Sequence, residues 1–260
     1  MTSNAPRALI TGATSGIGLE FARQLADEGY DLVLVARNEE RLRTTTRALA
    51  AEFGITAEAL VADLGTSPGI AAVCEVLDTR RIDVLVNNAG HGLEGLTLDT
   101  PPEKIRAMST VLYDAVVELS WHAAHAMLER GRGGILNIAS LAGITTMGPY
   151  AASKSATLVF SESLAGELAD TPITVTAVLP GFVKSGFHEV IGADVSAYPS
   201  LAWVTAEQVA RTALRDARAG KLVSVAGLQY RIAYGVGQIM PRPIVRSIST
   251  WFRKTRQTSP

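Results

Sequence analysis

Residues 8–25, Ala8-Leu9-Ile10-Thr11-Gly12-Ala13-Thr14-Ser15-Gly16-Ile17-Gly18-Leu19-Glu20-Phe21-Ala22-Arg23-Gln24-Leu25, read as an apolar strand, a glycine loop and the first turns of a helix. That order is what a dinucleotide site needs. Glycines permit a tight turn and close approach of the backbone, and a helix N-terminus offers unpaired N–H groups to a pyrophosphate. The spacing is Gly-x-x-x-Gly-x-Gly, with Thr14, Ser15 and Ile17 inside it. The alternative is an ordinary glycine turn, and the flanking strand and helix patterns count against it.

The alternation continues along the chain. Apolar runs predict strands near residues 7–11, 31–36, 57–62, 83–87, 134–139, 173–179 and 221–225. Helical patterning covers 16–28, 38–53, 67–78, 102–130 (whole or broken), 150–169 and 205–219. Strands that alternate with helices form a parallel sheet covered on both faces. The expected class is therefore α/β, a doubly wound parallel sheet of about seven strands, or Rossmann fold. A chain of 260 residues, 47% hydrophobic and 19% charged, suits one domain over 1–260 with a substantial core.

Composition also narrows the function. A net charge of −1 gives no general reason to expect nucleic-acid binding. The single Cys74 excludes an intramolecular disulfide framework. Met1 to Pro6 lacks the regions of a signal peptide, and no run of apolar residues is long enough for a membrane span. The cytoplasm is the default location.

Chemistry is concentrated in Tyr150-Ala151-Ala152-Ser153-Lys154. On a helix, positions i and i+4 share a face. The Lys154 ammonium can then sit beside the Tyr150 phenol and lower its pKa, which makes a phenol usable as an acid or base near neutral pH. Ser140 follows the strand Ile135-Leu136-Asn137-Ile138-Ala139. It thus stands at a strand's C-terminal end, where open α/β sheets place ligands. Asp83-Val84-Leu85-Val86-Asn87-Asn88-Ala89-Gly90 is another buried-strand run ending in small polar residues.

Taken in order, Thr11-Gly12…Gly16-x-Gly18, Asn87-Asn88-Ala89-Gly90, Ser140, Tyr150-x-x-x-Lys154 and Pro180-Gly181 resemble the short-chain dehydrogenase/reductase family. The resemblance spans about residues 6–226, and Phe187-His188-Glu189 with Leu228-Gln229-Tyr230 look like an actinobacterial-type branch. It implies that Ser140 hydrogen-bonds the substrate oxygen and that Tyr150 donates or accepts the proton. Lys154 would hold the nicotinamide ribose and depress the Tyr150 pKa. Asp63-Leu64 would contact the adenine, and Asn88-Ala89-Gly90 would line the ribose and pack the glycine turn. Pro180-Gly181-Phe182-Val183-Lys184-Ser185 would hold the nicotinamide, with Val183 and Ser185 as contacts. A homodimer or homotetramer is implied as well.

Cofactor preference follows from charge. The second strand ends at Val35-Ala36-Arg37, where a carboxylate would select NAD and an Arg accommodates the 2′-phosphate of NADP. Guanidinium forks match phosphate geometry. NADP(H) is expected over NAD(H); the competing reading of Arg37 is a solvated residue at a helix start. No metal site is expected.

Two departures from the family pattern stand out. The Ser140-to-Tyr150 loop is shorter than in many relatives, and Leu112 occupies the place of an Asn that bridges a water chain to the Lys. Leucine cannot orient a proton relay. Either Ser109 or Thr110 substitutes or the relay is impaired. Elsewhere, His122 and His125 share a helix face, read as structural or interfacial rather than metal-binding. His91 is either at the substrate mouth or a plain loop residue. Residues 187–203 read as loop, with Phe187, Tyr198 and Trp203 as contributors to an apolar-leaning substrate pocket; the resemblance implies that this stretch, with Phe187 and His188, forms a substrate lid. Residues 228–260 form a basic amphipathic extension, divided by Pro241 and Pro243, in which packing on its own or a sister subunit outweighs membrane contact. The leading function is an NADP-dependent oxidoreductase that interconverts a secondary alcohol and a ketone or reduces an aldehyde. The alternative, motivated by Leu112, is a catalytically weak NADP(H)-binding sensor or scaffold.

Overall fold

The computed structural model describes residues 5–93, 97–184 and 203–257. Strands β1 (Arg7–Thr11), β2 (Asp31–Ala36), β3 (Ala57–Val61), β4 (Val84–Asn87), β5 (Gly133–Ile138) and β6 (Ile173–Val178) alternate with helices. These are α1 (Gly16–Asp27), α2 (Glu39–Phe53), α3 (Ser67–Thr79), α4 (Pro102–Ser109), α5 (Ala115–Arg130) and α6 (Gly148–Glu167). A short ribbon of β7 (Phe182–Lys184) and β8 (Trp203–Thr205) precedes α7 (Ala206–Arg218) and β9 (Val223–Ser224). The chain continues through α8 (Leu228–Ile239) and α9 (Arg242–Gln257).

The main sheet has seven strands in the order β3-β2-β1-β4-β5-β6-β9, and every pair is parallel. Alternation along each strand divides the core. Ala8, Ile10, Leu32 and Leu34 pack with Phe21 and Leu25 of α1, Leu42 of α2 and Val209 of α7. Leu9, Val33 and Val35 pack with Val73 and Leu77 of α3 and Leu119 and Met127 of α5. Both sheet faces are thus buried, which is why the strands read as continuous apolar runs. Strand order reverses between β1 and β4, and this switch point opens a crevice at the strands' C-terminal ends.

Helix ends follow local chemistry. Asn38 accepts a hydrogen bond from the Arg41 N–H at the start of α2, and Gly54 closes that helix at φ 68°. Thr205 and Gln208 form a reciprocal capping box on α7. The long helical stretch expected over 102–130 is interrupted: Thr110–Asp114 is a π-helical segment between α4 and α5.

Under the crevice, four buried side chains join β4, β5, α5 and α6. The Asn87 amide donates to Asn137 Oδ1 at 2.9 Å and to Ser120 Oγ at 3.1 Å, and Asn137 Nδ2 donates to Ser161 Oγ at 3.0 Å. Asn137→Ala removes one partner each from the Asn87 amide, Ser120 and Ser161, and a buried polar group left short of a partner costs about 1–3 kcal/mol. Urea unfolding should show the variant about 2–4 kcal/mol less stable; an unchanged midpoint would contradict the network's role.

Candidate active site

The glycine turn is built by hydrogen bonds across the switch point. Thr11 Oγ1 accepts from the N–H groups of Asn88 and Ala89, both at 2.9 Å. In return, Asn88 Nδ2 donates to the carbonyls of Thr11 at 3.0 Å and Gly12 at 3.2 Å. Gly12 and Gly16 have φ of 65° and 54°, a region that favours glycine. A Cβ on Gly18 would lie 2.4 Å from the Gly12 carbonyl oxygen and 2.3 Å from Asn88 Nδ2, so only glycine fits.

Ser15, at the head of α1, makes no side-chain cap bond. The first N–H groups of the helix therefore carry no side-chain acceptor, as a bound pyrophosphate requires. Thr14, Ser15, Gly16 and Ile17 are at least partly accessible there. These features fit a dinucleotide: a turn a Cβ would block, beside a helix end with donors to give. Asn88 was expected to line the ribose as well as pack the turn; its amide is spent on the packing.

Other expected cofactor contacts divide by exposure. Arg37 is exposed just past β2, and no hydrogen bond or ion pair holds it among the described residues. Asp63 is exposed and accepts the Gly65 N–H at 2.9 Å, whereas Leu64 is buried in the core and offers only backbone to the crevice. His91 is half-buried, and its pKa lies below the ordinary value, first through burial and then through Arg37, with Asp63 opposing. The charges that act on it stand just past β2 and β3.

Pro180 and Gly181 stand beside the loop that follows Ser140, whose Leu141 N–H donates to the Pro180 carbonyl at 3.1 Å. Val183 is buried in the core. Ser185, Phe187, His188 and Tyr198 lie outside the described residues. Trp203 is not loop but the start of β8, paired in register with Phe182.

Ser140 and Tyr150 meet across the short loop. The Ser140 hydroxyl accepts the Ala142 N–H at 3.1 Å and is hydrogen-bonded to the Tyr150 side chain. Lys154, one helical turn on, is buried, and its ammonium donates to the Ile138 carbonyl. The expected lowering of the Tyr150 pKa does not appear. Burial pushes it up to about 12, with the Ser140 hydrogen bond opposing. Burial likewise brings Lys154 down to about 8. In both cases a low-dielectric setting disfavours the charged form.

Leu112 is fully buried in the π-helical segment. A Cβ on Gly90 would sit 2.7 Å from Leu112 Cδ2 and 3.9 Å from Lys154 Nζ, so a leucine methyl lies where polar relay atoms were expected. The Leu112 carbonyl accepts from Thr157 Oγ1 at 2.7 Å. Ser109, one of the two candidate substitutes, instead pairs with Ser153 at 3.1 Å between hydroxyl oxygens. His122 is paired with Asp78 at 2.7 Å.

Sequence reasoning passed over two contributors. The Ile138 carbonyl is a backbone atom without any sequence signature. Tyr230 of α8 lays its ring on Gly181, where a Cβ would come within 2.2 Å of it, and its hydroxyl accepts the Phe182 N–H at 2.9 Å. A groove of about 880 Å³ on the other side of α6, lined by Tyr113, Ala152, Ala156, Phe160 and Arg242, contains none of the Ser140–Tyr150–Lys154 trio.

The family model described as short chain dehydrogenase matches residues 6–196. A Streptomyces coelicolor protein named as a candidate ketoacyl reductase is 37% identical over 244 residues, covering 91% of this chain and 92% of its own length. A short-chain dehydrogenase from Sphingobium yanoikuyae, solved in complex with NADPH, superposes with a TM-score of 0.83 at 34% identity, covering 90% of this chain and 94% of that one. A bulky-bulky ketone specific alcohol dehydrogenase from Comamonas testosteroni gives 0.78 at 28% identity, covering 92% and 96%. The chain belongs to the short-chain dehydrogenase/reductase family. It is an oxidoreductase of the kind that acts on CH–OH or C=O groups with a nicotinamide cofactor.

The buried lysine has a measurable signature. The unfolded chain keeps this proton up to the ordinary lysine value of 10.5, whereas the folded chain releases it near 8. Between those values the unfolded state binds more protons, so stability gains with rising pH. Relative to Lys154→Met, the native protein should gain about 2 kcal/mol between pH 7 and pH 10. Urea denaturation of both forms across that range checks it; a constant difference would contradict the burial of Lys154.

Proposed function

We propose that this protein is an NADPH-dependent carbonyl reductase that converts a ketone to a secondary alcohol, with Tyr150 as the proton donor. The observation that carries this reading is the Ser140–Tyr150 hydrogen bond set one helical turn from the buried Lys154. A Tyr150 pKa of about 12 keeps the phenol protonated at neutral pH, as a reductive proton donor must be.

The nicotinamide, when bound, supplies the hydride to the carbonyl carbon. Ser140 holds the carbonyl oxygen with its hydroxyl. Tyr150 passes its proton to that oxygen as negative charge develops there. The Lys154 ammonium, charged below about pH 8, then stabilises the phenolate left behind. The helix α1 N–H groups, Gly12 and Gly16 would hold the pyrophosphate, and Arg37 the 2′-phosphate. Ala89, Gly90 and Asp63 would line the adenosine half, and Pro180 and Gly181 the nicotinamide. Exposed Trp121 and Leu128 on α5 and Val159 on α6 support pairing into a homodimer or homotetramer.

The relatives support a ketone of substantial size, the ketoacyl group being the chemical class named for the Streptomyces protein. Stopped or steady-state oxidation of NADPH with β-ketoacyl thioesters and bulky ketones tests the reading. Tyr150→Phe should lower kcat by about 100-fold or more while NADPH affinity persists. Arg37→Glu should weaken NADPH about tenfold or more and spare NADH. Undiminished turnover in Tyr150→Phe would remove the proton-donor role, and equal loss of both cofactors in Arg37→Glu would remove the phosphate role.

A further inference from the structure

The chain's charges are segregated. Asp216 is the last acidic residue, and Arg218, Lys221, Arg231, Arg242, Arg246, Arg253, Lys254 and Arg256 all follow it. With the net charge at −1, the preceding part of the chain is acidic overall and the C-terminal segment is basic in sequence. Arg218 and Lys221 are paired with Glu28 and Asp216, which leaves the cations from Arg231 onward without an acidic residue in their own segment.

The same segment carries an unusual exposed surface. Helix α8 turns Tyr230, Tyr234 and Gly237 inward, onto Gly181, Leu141 and Ile144. On its other side Leu228, Ile232, Val236 and Ile239 are 67%, 59%, 46% and 84% exposed. Their spacing places them in one stripe about 80° wide. Helix α9 is held by Val245 and Ser249, which are buried, with Ser249 Oγ accepting the Thr146 N–H at 3.3 Å. Ile244 and Ile248 face solvent on one side of that buried line, and Arg242 and Arg246 are exposed on the other, Arg242 lining the groove along α6. Among the described residues, packing on its own subunit therefore accounts for one side of these helices and leaves the apolar stripe of α8 exposed.

We propose that the outer face of α8 and α9 docks on an anionic lipid bilayer, with the helices lying in the interface. No described helix is long and apolar enough to cross a membrane, which leaves an interfacial position. The aliphatic side chains of α8 enter the acyl boundary, while the positive charge of a segment that carries no acidic residue after Asp216 is drawn to lipid phosphates. A second copy fits worse. A twofold contact would set this segment against its own copy and bring two basic segments together. A nucleic acid would use the cations and have no use for the aliphatic stripe.

Co-sedimentation of the full chain with phosphatidylcholine vesicles, with and without about one third phosphatidylglycerol, tests the proposal. The expected result is about tenfold or greater preference for the anionic vesicles, weakened by added salt. Ile232→Ser combined with Ile239→Ser should lower binding about tenfold, with circular dichroism and NADPH affinity unchanged. Arg242→Gln with Arg246→Gln should remove most of the lipid preference. Failure to sediment with anionic vesicles, or undiminished binding by the serine variant, would overturn the proposal. So would a dimer in solution that Ile232→Glu dissociates, because the face would then belong to a second copy. The outcome is independent of turnover and so is separable from the reductase reading.

Discussion

The reciprocal hydrogen bonds between Thr11 and Gly12 on one side and Asn88 and Ala89 on the other are the constraint on which the site depends. They tie the turn after β1 to the end of β4 across the point where strand order reverses. Once that tie is made, Gly18 must pass within contact distance of the Gly12 carbonyl, which brings the start of α1 into the crevice. The helix can then present its unpaired N–H groups to an anion. The same tie sets the direction of Gly90, and through it the place of Leu112 beside Lys154.

Burial dominates the chemistry of the opposite wall. Tyr150 and Lys154 each meet a low-dielectric environment that opposes charge, and they respond in opposite directions, one pKa rising and the other falling. The phenol is therefore held protonated at neutral pH, and Lys154, one helical turn on, gives up its proton near pH 8. The Ile138 carbonyl holds the ammonium, and the π-helical turn at Leu112 is secured by Thr157 from α6. The Ser109 hydroxyl is engaged by Ser153 rather than by Lys154.

Much of this was legible in the residues, and the parts that were not have physical reasons. Strands buried on both faces give unbroken apolar runs, so β1 to β6 and their helices lie within a residue or two of their expected limits. The trio of Ser140, Tyr150 and Lys154 was recoverable because helical spacing and strand ends are local features. The sign of the Tyr150 shift was not, because it depends on burial assembled from distant segments. The β7–β8 ribbon escaped notice because three-residue strands have too few positions to show alternation. The charges that act on His91, Arg37 and Asp63, come from other strands and so had no local signature. The outward stripe on α8 was visible as amphipathicity, but only the packing of Tyr230 and Gly237 reveals which side faces solvent.

The proposed reaction requires a hydride to pass from a nicotinamide in the crevice to a carbonyl held at Ser140 and Tyr150. The direct measurement uses NADPH deuterated at the nicotinamide C4 with a β-ketoacyl thioester or a bulky ketone, followed by mass spectrometry of the alcohol. One deuterium on the carbinol carbon, for one position of the label on C4 and not the other, is the predicted result. An alcohol formed without label from either form of the cofactor, or no alcohol from any carbonyl despite bound NADPH, would contradict it.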